Sequence, residues 1–428
     1  MNINMKYGKN GLSLDLPEDI DVTLIQKKAM PVLKDPEGAI KYVFANPVNS
    51  KTLREEAKGC RSCCILICDI TRPVPNGLIL PRLINELIEA GMAADSITVL
   101  VATGLHRPNE GDELRELVGS DWVLGTVTVA NHFARRDEDH EYIGTTSGGI
   151  EARLDRRFVQ ADLRIVVGLV EPHFMAGYSG GRKVVAPGIA HEQTIRSFHS
   201  ARVLEDCRSA NCIMEGNPLH AVQMEIMQML GGCLAVNTVI DKDHRISFVN
   251  FGEIVESHLE AVSFVRPYAE IPLKARFKTV VTSSAGYPLD KTYYQTVKGM
   301  VSPLDILEPG GDLIIVSACS EGMGSPDYAE AQLCLTDKGP DGFLHGIIEK
   351  KYAAIDEWQT EMQVKAMKRV NIFLYTEGLT KDQKALTGVT VIESPLAAVM
   401  ESVKAQGDRR VAVIPEGPYV VPLFAPGS

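Results

Sequence analysis

LRIVVGLVEPHFMAGYSGGRKVVAPG, residues 163–188, holds the pattern that decides the fold. Leu163–Val170 is an almost continuous apolar run rather than an alternating one, which predicts a strand buried on both faces. The next residues are of a different kind: His173, four glycines, Arg182 and Lys183 fall within residues 173–188. In open α/β sheets, ligands sit beyond the carboxyl ends of the strands. An apolar run that ends in glycines, a histidine and two cations has the order of residues that such a site needs.

Working outward, further short runs predict strands at 62–68, 97–102, 126–130, 279–283, 312–317, 370–375 and 410–414. Amphipathic stretches at 78–90, 112–118, 218–230, 342–358 and 395–405 predict the helices between them. Strands alternating with helices predict an α/β protein with mainly parallel sheets covered on both faces. The length of 428 residues suits two such domains. The proline-containing stretch at 262–274 predicts the boundary. The expected domains are then 1–262 and 275–428, with the active site in the cleft between them. The opening residues MNINMKYGKNGLSLDL predict a hairpin turning at Lys9–Gly11.

The net charge of −11 argues against a nucleic-acid backbone binder or a membrane-surface protein, because no cationic excess is present. A small anionic substrate stays possible where a few cations converge. No apolar run reaches the roughly 18–20 residues that span a bilayer, and the N-terminus has no apolar core of a signal peptide. A cytoplasmic location is expected. Nine cysteines show no disulfide rhythm, and SCCILIC at 62–68 reads as cysteines packed in a buried strand rather than as a metal site.

The residues after each strand are the ones that could do chemistry. Ser179, Gly180, Gly181 and Arg182 could offer donors to an anion or could form a plain turn, and SGGRK is not a Walker A motif. Lys183, between that turn and an apolar segment, is either an exposed lysine or a desolvated amine able to act as a nucleophile. His106 and His173 follow two different strands, so they are structural hydrogen bonders or an acid–base pair on one cleft. A lone histidine such as His199 or His191 is ordinarily not a metal ligand. His132 and His140, in the charged run HFARRDEDHEY, read as surface residues. Gln295 and Lys298 are three residues apart on a predicted helix, and so share a face that could bind a carboxylate or merely meet solvent. Arg72 supplies a planar cation suited to a carboxylate.

Five strings in fixed order, DITRP (69–73), ATGLHR (102–107), EPHFMAGYSGGRKVVAPGIA (171–190), FHS (198–200) and YPLDKTYYQTVKGM (287–300), resemble the nickel-dependent lactate racemase family across most of the chain. That resemblance implies a racemase or epimerase of a 2-hydroxy acid. Its cofactor would be a nickel-pincer nucleotide, a pyridinium-3-thioamide-5-thiocarboxylic acid mononucleotide carrying nickel. Lys183 then matches the tethering lysine, His199 the nickel ligand, and His106 and His173 the two catalytic histidines, one for each face of the substrate. Asp69, Arg72, Tyr294, Gln295 and Lys298 match residues around cofactor and substrate, with Trp358 as a pocket aromatic. The glycine loop would cradle the cofactor phosphate. The implied partners are a small 2-hydroxy acid and the enzymes that make the cofactor. The rival readings are a non-catalytic carrier of the same nucleotide and a Schiff-base enzyme using Lys183.

Overall fold

The computed structural model describes residues 1–426. The chain forms two compact units. The N-terminal unit comprises Ala29–Phe198 and Arg208–Arg266. The C-terminal unit comprises Met1–Lys28, His199–Cys207 and the chain from Pro267 onward. The expected spans 1–262 and 275–428 were continuous, whereas these units are not. The first 28 residues count with the C-terminal unit because Asp21–Leu24 pairs parallel with Arg410–Ile414 at a sheet edge. Such pairing is non-local and leaves no trace in the local pattern. The division near residue 266 falls inside a helix, Ile254–Ala269, rather than in a loop.

The N-terminal unit is built on a six-stranded sheet ordered Ile246–Glu253, Leu234–Ile240, Leu163–Leu169, Cys63–Cys68, Ile97–Ala102 and Thr128–Asn131. All neighbours are parallel except the first pair, which is antiparallel. Continuous apolar strands imply burial on both faces, and Cys64, Ile65, Leu66, Ile67, Val99, Val101, Ile165 and Val167 are all buried. Each such aliphatic side chain contributes roughly 1.5–3 kcal/mol relative to exposure. Helix Asn76–Glu89 covers one face with Ile79, Leu80, Leu83, Ile84 and Leu87, the i, i+3, i+4 spacing of an amphipathic helix. Helix Pro218–Leu230 starts where Asn217 accepts from the backbone N–H groups of Leu219 and His220, with Pro218 in the first turn.

The C-terminal unit carries a second six-stranded sheet, entirely parallel, ordered Thr390–Ile392, Asn371–Tyr375, Leu307–Val316, Phe277–Ser283, Arg410–Ile414 and Asp21–Leu24. The expected N-terminal hairpin is present as Asn2–Met5 against Leu12–Asp15, and its Ile3, Met5 and Leu14 enter this unit's core. None of the nine cysteines forms a disulfide, and Cys63 and Cys64 lie in the core as the sequence suggested. Among the described residues no helix is long and apolar enough to cross a membrane.

Candidate functional site

Each sheet has a place where the strand order reverses, and that is where an open α/β sheet binds ligands. In the N-terminal unit the chain runs from strand 63–68 outward to 97–102 and 128–131, then returns to the other side at 163–169. The reversal lies between strands 63–68 and 163–169, and their carboxyl ends carry Asp69, Arg72, Glu171 and His173. Arg72 forms an ion pair with Glu171, joining the loops on the two sides of the reversal. On its other flank the same loop meets the end of strand 97–102, where His106 Nδ1 lies 2.6 Å from Asp69 Oδ2.

Asp69 is buried, and its second oxygen, Oδ1, accepts from the Thr71 hydroxyl at 2.6 Å and the Thr71 N–H at 3.2 Å. Burial alone would push the carboxyl up. The hydrogen bonds from His106 and Thr71 and the charge of Arg72 outweigh it and hold Asp69 below the usual carboxylate range. A carboxylate only accepts, so the His106 proton sits on Nδ1, and in the neutral ring Nε2 carries the lone pair. The His106 side chain is 57% exposed, which leaves it able to meet a ligand.

His173 is held differently. It lies in a tight hairpin, Pro172–His173 against Gly177–Tyr178. It is buried, and its Nδ1 accepts from the backbone N–H groups of Met175 at 3.3 Å and Ala176 at 3.2 Å.

The SGGRK segment follows directly. The Ser179 hydroxyl donates to Leu169 O at 2.8 Å. Gly180 and Gly181 have φ of +77° and +49°. A Cβ on Gly180 would stand 2.9 Å from Leu169 O, and one on Gly181 2.9 Å from the His258 ring. These glycines therefore permit close packing beneath the hairpin. Arg182 is buried, and its Nη2 donates to Ala176 O at 3.0 Å and Tyr178 O at 3.4 Å. Each of the four residues thus has a task inside the protein. Lys183 is half-buried, and burial followed by the Arg72 charge pushes its amine down to about 7. It is the one lysine in this region held close to neutrality at physiological pH.

The C-terminal unit holds the remaining predicted residues. Helix Tyr293–Val301 carries Tyr294, Gln295 and Lys298. Trp358 Nε1 donates to the Tyr294 hydroxyl at 3.3 Å, and the Trp358 ring lies 4.9 Å from that of His199. His199 and Trp358 therefore belong to one cluster. Gln295 Oε1 is buried and has no hydrogen-bond partner. The rival histidine, His191, is engaged with Asp137 at 3.0 Å and with the Gln193 N–H at 3.2 Å.

Two corrections concern residues the sequence placed at the surface. His132 and His140 are buried, with rings 5.0 Å apart, and His132 meets Asp155 and Ala190 O, both at 3.2 Å. The charged run around them reads as solvated because its charges do point outward. The histidines are reached by partners distant in sequence. Glu171, Thr71 and Asn217 had no assigned part. Only Glu171, directly before Pro172-His173, stood in a position that could have drawn notice.

Among the described residues no group of three or more His, Cys, Asp or Glu side chains could hold a metal. The near-neutral amine of Lys183 would suit a group tethered through a lysine, as the family resemblance implies.

Residues 7–211 match the lactate racemase N-terminal domain family, and residues 274–421 match the lactate racemase C-terminal domain family. A lactate racemase of Thermoanaerobacterium thermosaccharolyticum is 30% identical over 428 residues, covering 98% of this chain and 99% of that protein. One from Lactiplantibacillus plantarum is 28% identical over 380 residues, 88% of each chain. The solved lactate racemase apoprotein of T. thermosaccharolyticum superimposes with a TM-score of 0.92 at 29% identity, covering 99% of this chain and 100% of that one. A Thermotoga maritima protein shares the fold, with a TM-score of 0.69 at 17% identity over 91% of this chain and 98% of that one. With both family domains matched in order and a relative at 30% identity along its whole length, this chain belongs to the lactate racemase family.

Proposed function

We propose that this protein is a racemase of a small 2-hydroxy acid, lactate or a close analogue, working with a nickel-pincer nucleotide tethered at Lys183. The observation that carries the reading is the pair of histidines on either side of strand 63–68. His106 and His173 follow strands two places apart in the sheet, a separation of about 10 Å at the strand ends by ordinary strand spacing. That leaves room for one small acid between two imidazoles. A carrier of the nucleotide would need no carboxylate-backed histidine there.

The chemistry such a cofactor supplies when bound is the reversible acceptance of a hydride from the substrate's carbinol carbon. The chain's own residues do the rest. His106 takes the hydroxyl proton at Nε2 while its Nδ1–H stays on Asp69, which stabilises the charged ring that results. His173 meets the substrate oxygen on the opposite face. Arg72 or Lys298 binds the carboxylate and keeps the reacting carbon in place. Lys183 would tether the cofactor, with Asp69 and Arg72 near it, and His199 would ligate its metal, while Ser179 through Arg182 support the hairpin from below. Tyr294, Gln295 and Trp358 complete the substrate side, the buried Gln295 carbonyl being an acceptor available to the ligand. Loading requires the cofactor-making enzymes.

The test is chiral analysis of L-lactate and D-lactate incubated separately with protein co-expressed with those enzymes and nickel. Both enantiomers should run to an equal mixture. Loaded protein that leaves both lactates and other small 2-hydroxy acids unchanged would overturn the reading.

A further inference from the structure

The two histidines are oriented by opposite kinds of partner. The carboxylate beside His106 can only accept, whereas both groups at His173 Nδ1 are backbone N–H donors. A nitrogen that receives two N–H donors must present its lone pair, so the proton of the neutral His173 ring lies on Nε2.

The donors do not hold themselves in place. The peptide joining Met175 to Ala176 places its N–H on His173, and its carbonyl, Met175 O, accepts from Asn217 Nδ2 at 2.8 Å. The next carbonyl, Ala176 O, accepts from Arg182 Nη2 at 3.0 Å. Both anchors are themselves fixed. Asn217 is 1% exposed, and its Oδ1 caps helix 218–230 by accepting from Leu219 N at 2.9 Å and His220 N at 3.1 Å, so the orientation of its amide is determined. Arg182 is 3% exposed and has no acidic partner, and its Nε has no hydrogen-bond partner. A buried guanidinium bonded mainly to two carbonyls of the hairpin is a costly way to close a loop. Its acceptors, Ala176 O and Tyr178 O, belong to the peptides that follow those facing His173, so it holds the part of the hairpin directly beyond them.

We propose that His173 rests as its neutral Nε2–H tautomer, and that Asn217 is a positioning residue that holds it there by fixing the Met175–Ala176 peptide, with Arg182 securing the adjoining peptide of the hairpin. The two neutral rings then differ in which nitrogen carries the proton, Nδ1 in His106 and Nε2 in His173. Any consequence for catalysis rests on the racemase reading above, but the tautomer does not, and it is read on the protein without substrate or cofactor.

The experiment is nitrogen NMR of the full chain labelled with [15N]histidine, in which protonated and unprotonated ring nitrogens give separate signals. His106→Gln and His173→Gln identify each residue's signals by their loss. The expected result is a proton on Nδ1 of His106 and on Nε2 of His173. Asn217→Asp keeps the oxygen that caps the helix but removes the donor to Met175 O. It should give His173 a mixture of tautomers with His106 unchanged. If that variant does not fold, Arg182→Met reads the same coupling from the neighbouring carbonyl. A wild-type His173 protonated on Nδ1 would overturn the proposal. So would a folded Asn217→Asp protein and a folded Arg182→Met protein that both leave the His173 signals unmoved. A failed racemase assay would leave these results standing, so the two readings can fail separately.

Discussion

The two sheets have the same architecture and each has a reversal in strand order, yet the two reversals are used differently. In the N-terminal unit the reversal between strands 63–68 and 163–169 is lined by Asp69, Arg72, Glu171 and His173. In the C-terminal unit it lies between strands 277–283 and 410–414, and residues of the N-terminal hairpin close it. Lys6 N–H donates to Pro415 O at 3.0 Å, Gly8 N–H to Asp290 Oδ2 at 2.7 Å, and Tyr287 N–H to Gly8 O at 2.9 Å. A fold position that binds ligands by geometry is therefore spent on structure in one unit and on ionisable groups in the other. The candidate substrate residues of the C-terminal unit lie instead on helix 293–301. Function follows the side chains placed at a reversal, not the reversal itself.

The contrast predicts large functional effects in one unit and stability effects in the other. Lys183→Ala should reduce activity of loaded protein to background, and Lys183→Arg should do the same, because a guanidinium stays charged and is a poor nucleophile. Asp69→Asn should lower turnover roughly 10²–10⁴-fold, the range for losing a positioned acid–base group, with the circular dichroism spectrum retained. The Lys183 amine reacts only when neutral. With its value pushed down to about 7, labelling by an amine reagent should rise through neutral pH and level off above it. Ordinary lysines rise near pH 10, and a Lys183 that labels with them would remove the tethering argument.

At the closed reversal, Asp290→Ala leaves the Gly8 and Ala318 N–H groups without their acceptor. It should cost about 1–3 kcal/mol by denaturant unfolding, with turnover per folded molecule unchanged. A large loss of turnover would break the comparison. A pH-dependent effect on stability is expected at Glu361, which is buried beside Glu205. Burial, then the neighbouring Glu205, pushes its carboxyl up to about 9. A carboxyl raised on folding is protonated in the native state and ionised in the unfolded one between about pH 4.5 and 9, so it lowers stability progressively as pH rises through that window. Glu361→Gln should flatten this decline, measured by unfolding across pH.

Much of this was legible in the sequence, because the strands carry continuous apolar runs and the chemical groups sit directly after them. Helix 218–230 and the hairpin at residues 2–15 were marked by their own turn and capping residues. What local pattern could not carry was long-range pairing. Strand 21–24 joins a sheet whose other strands begin some 250 residues later, and segment 199–207 belongs with the C-terminal unit. The burial of His132 and His140 has the same origin, since Asp155 and Ala190 reach His132 from elsewhere in the chain. Within the site, the sequence suggested two histidines at equivalent strand ends. It gave no sign that one faces a carboxylate and the other two amides, because those amides are set by a hairpin that Asn217 and Arg182 pin from a distance.

The most direct test of the central claim is the intact mass of this protein made with and without the cofactor-making enzymes and nickel. The account predicts a nucleotide-sized increase carried by the peptide containing Lys183 and absent from Lys183→Ala. No increase, under conditions in which a known nickel-pincer racemase becomes loaded, would contradict it.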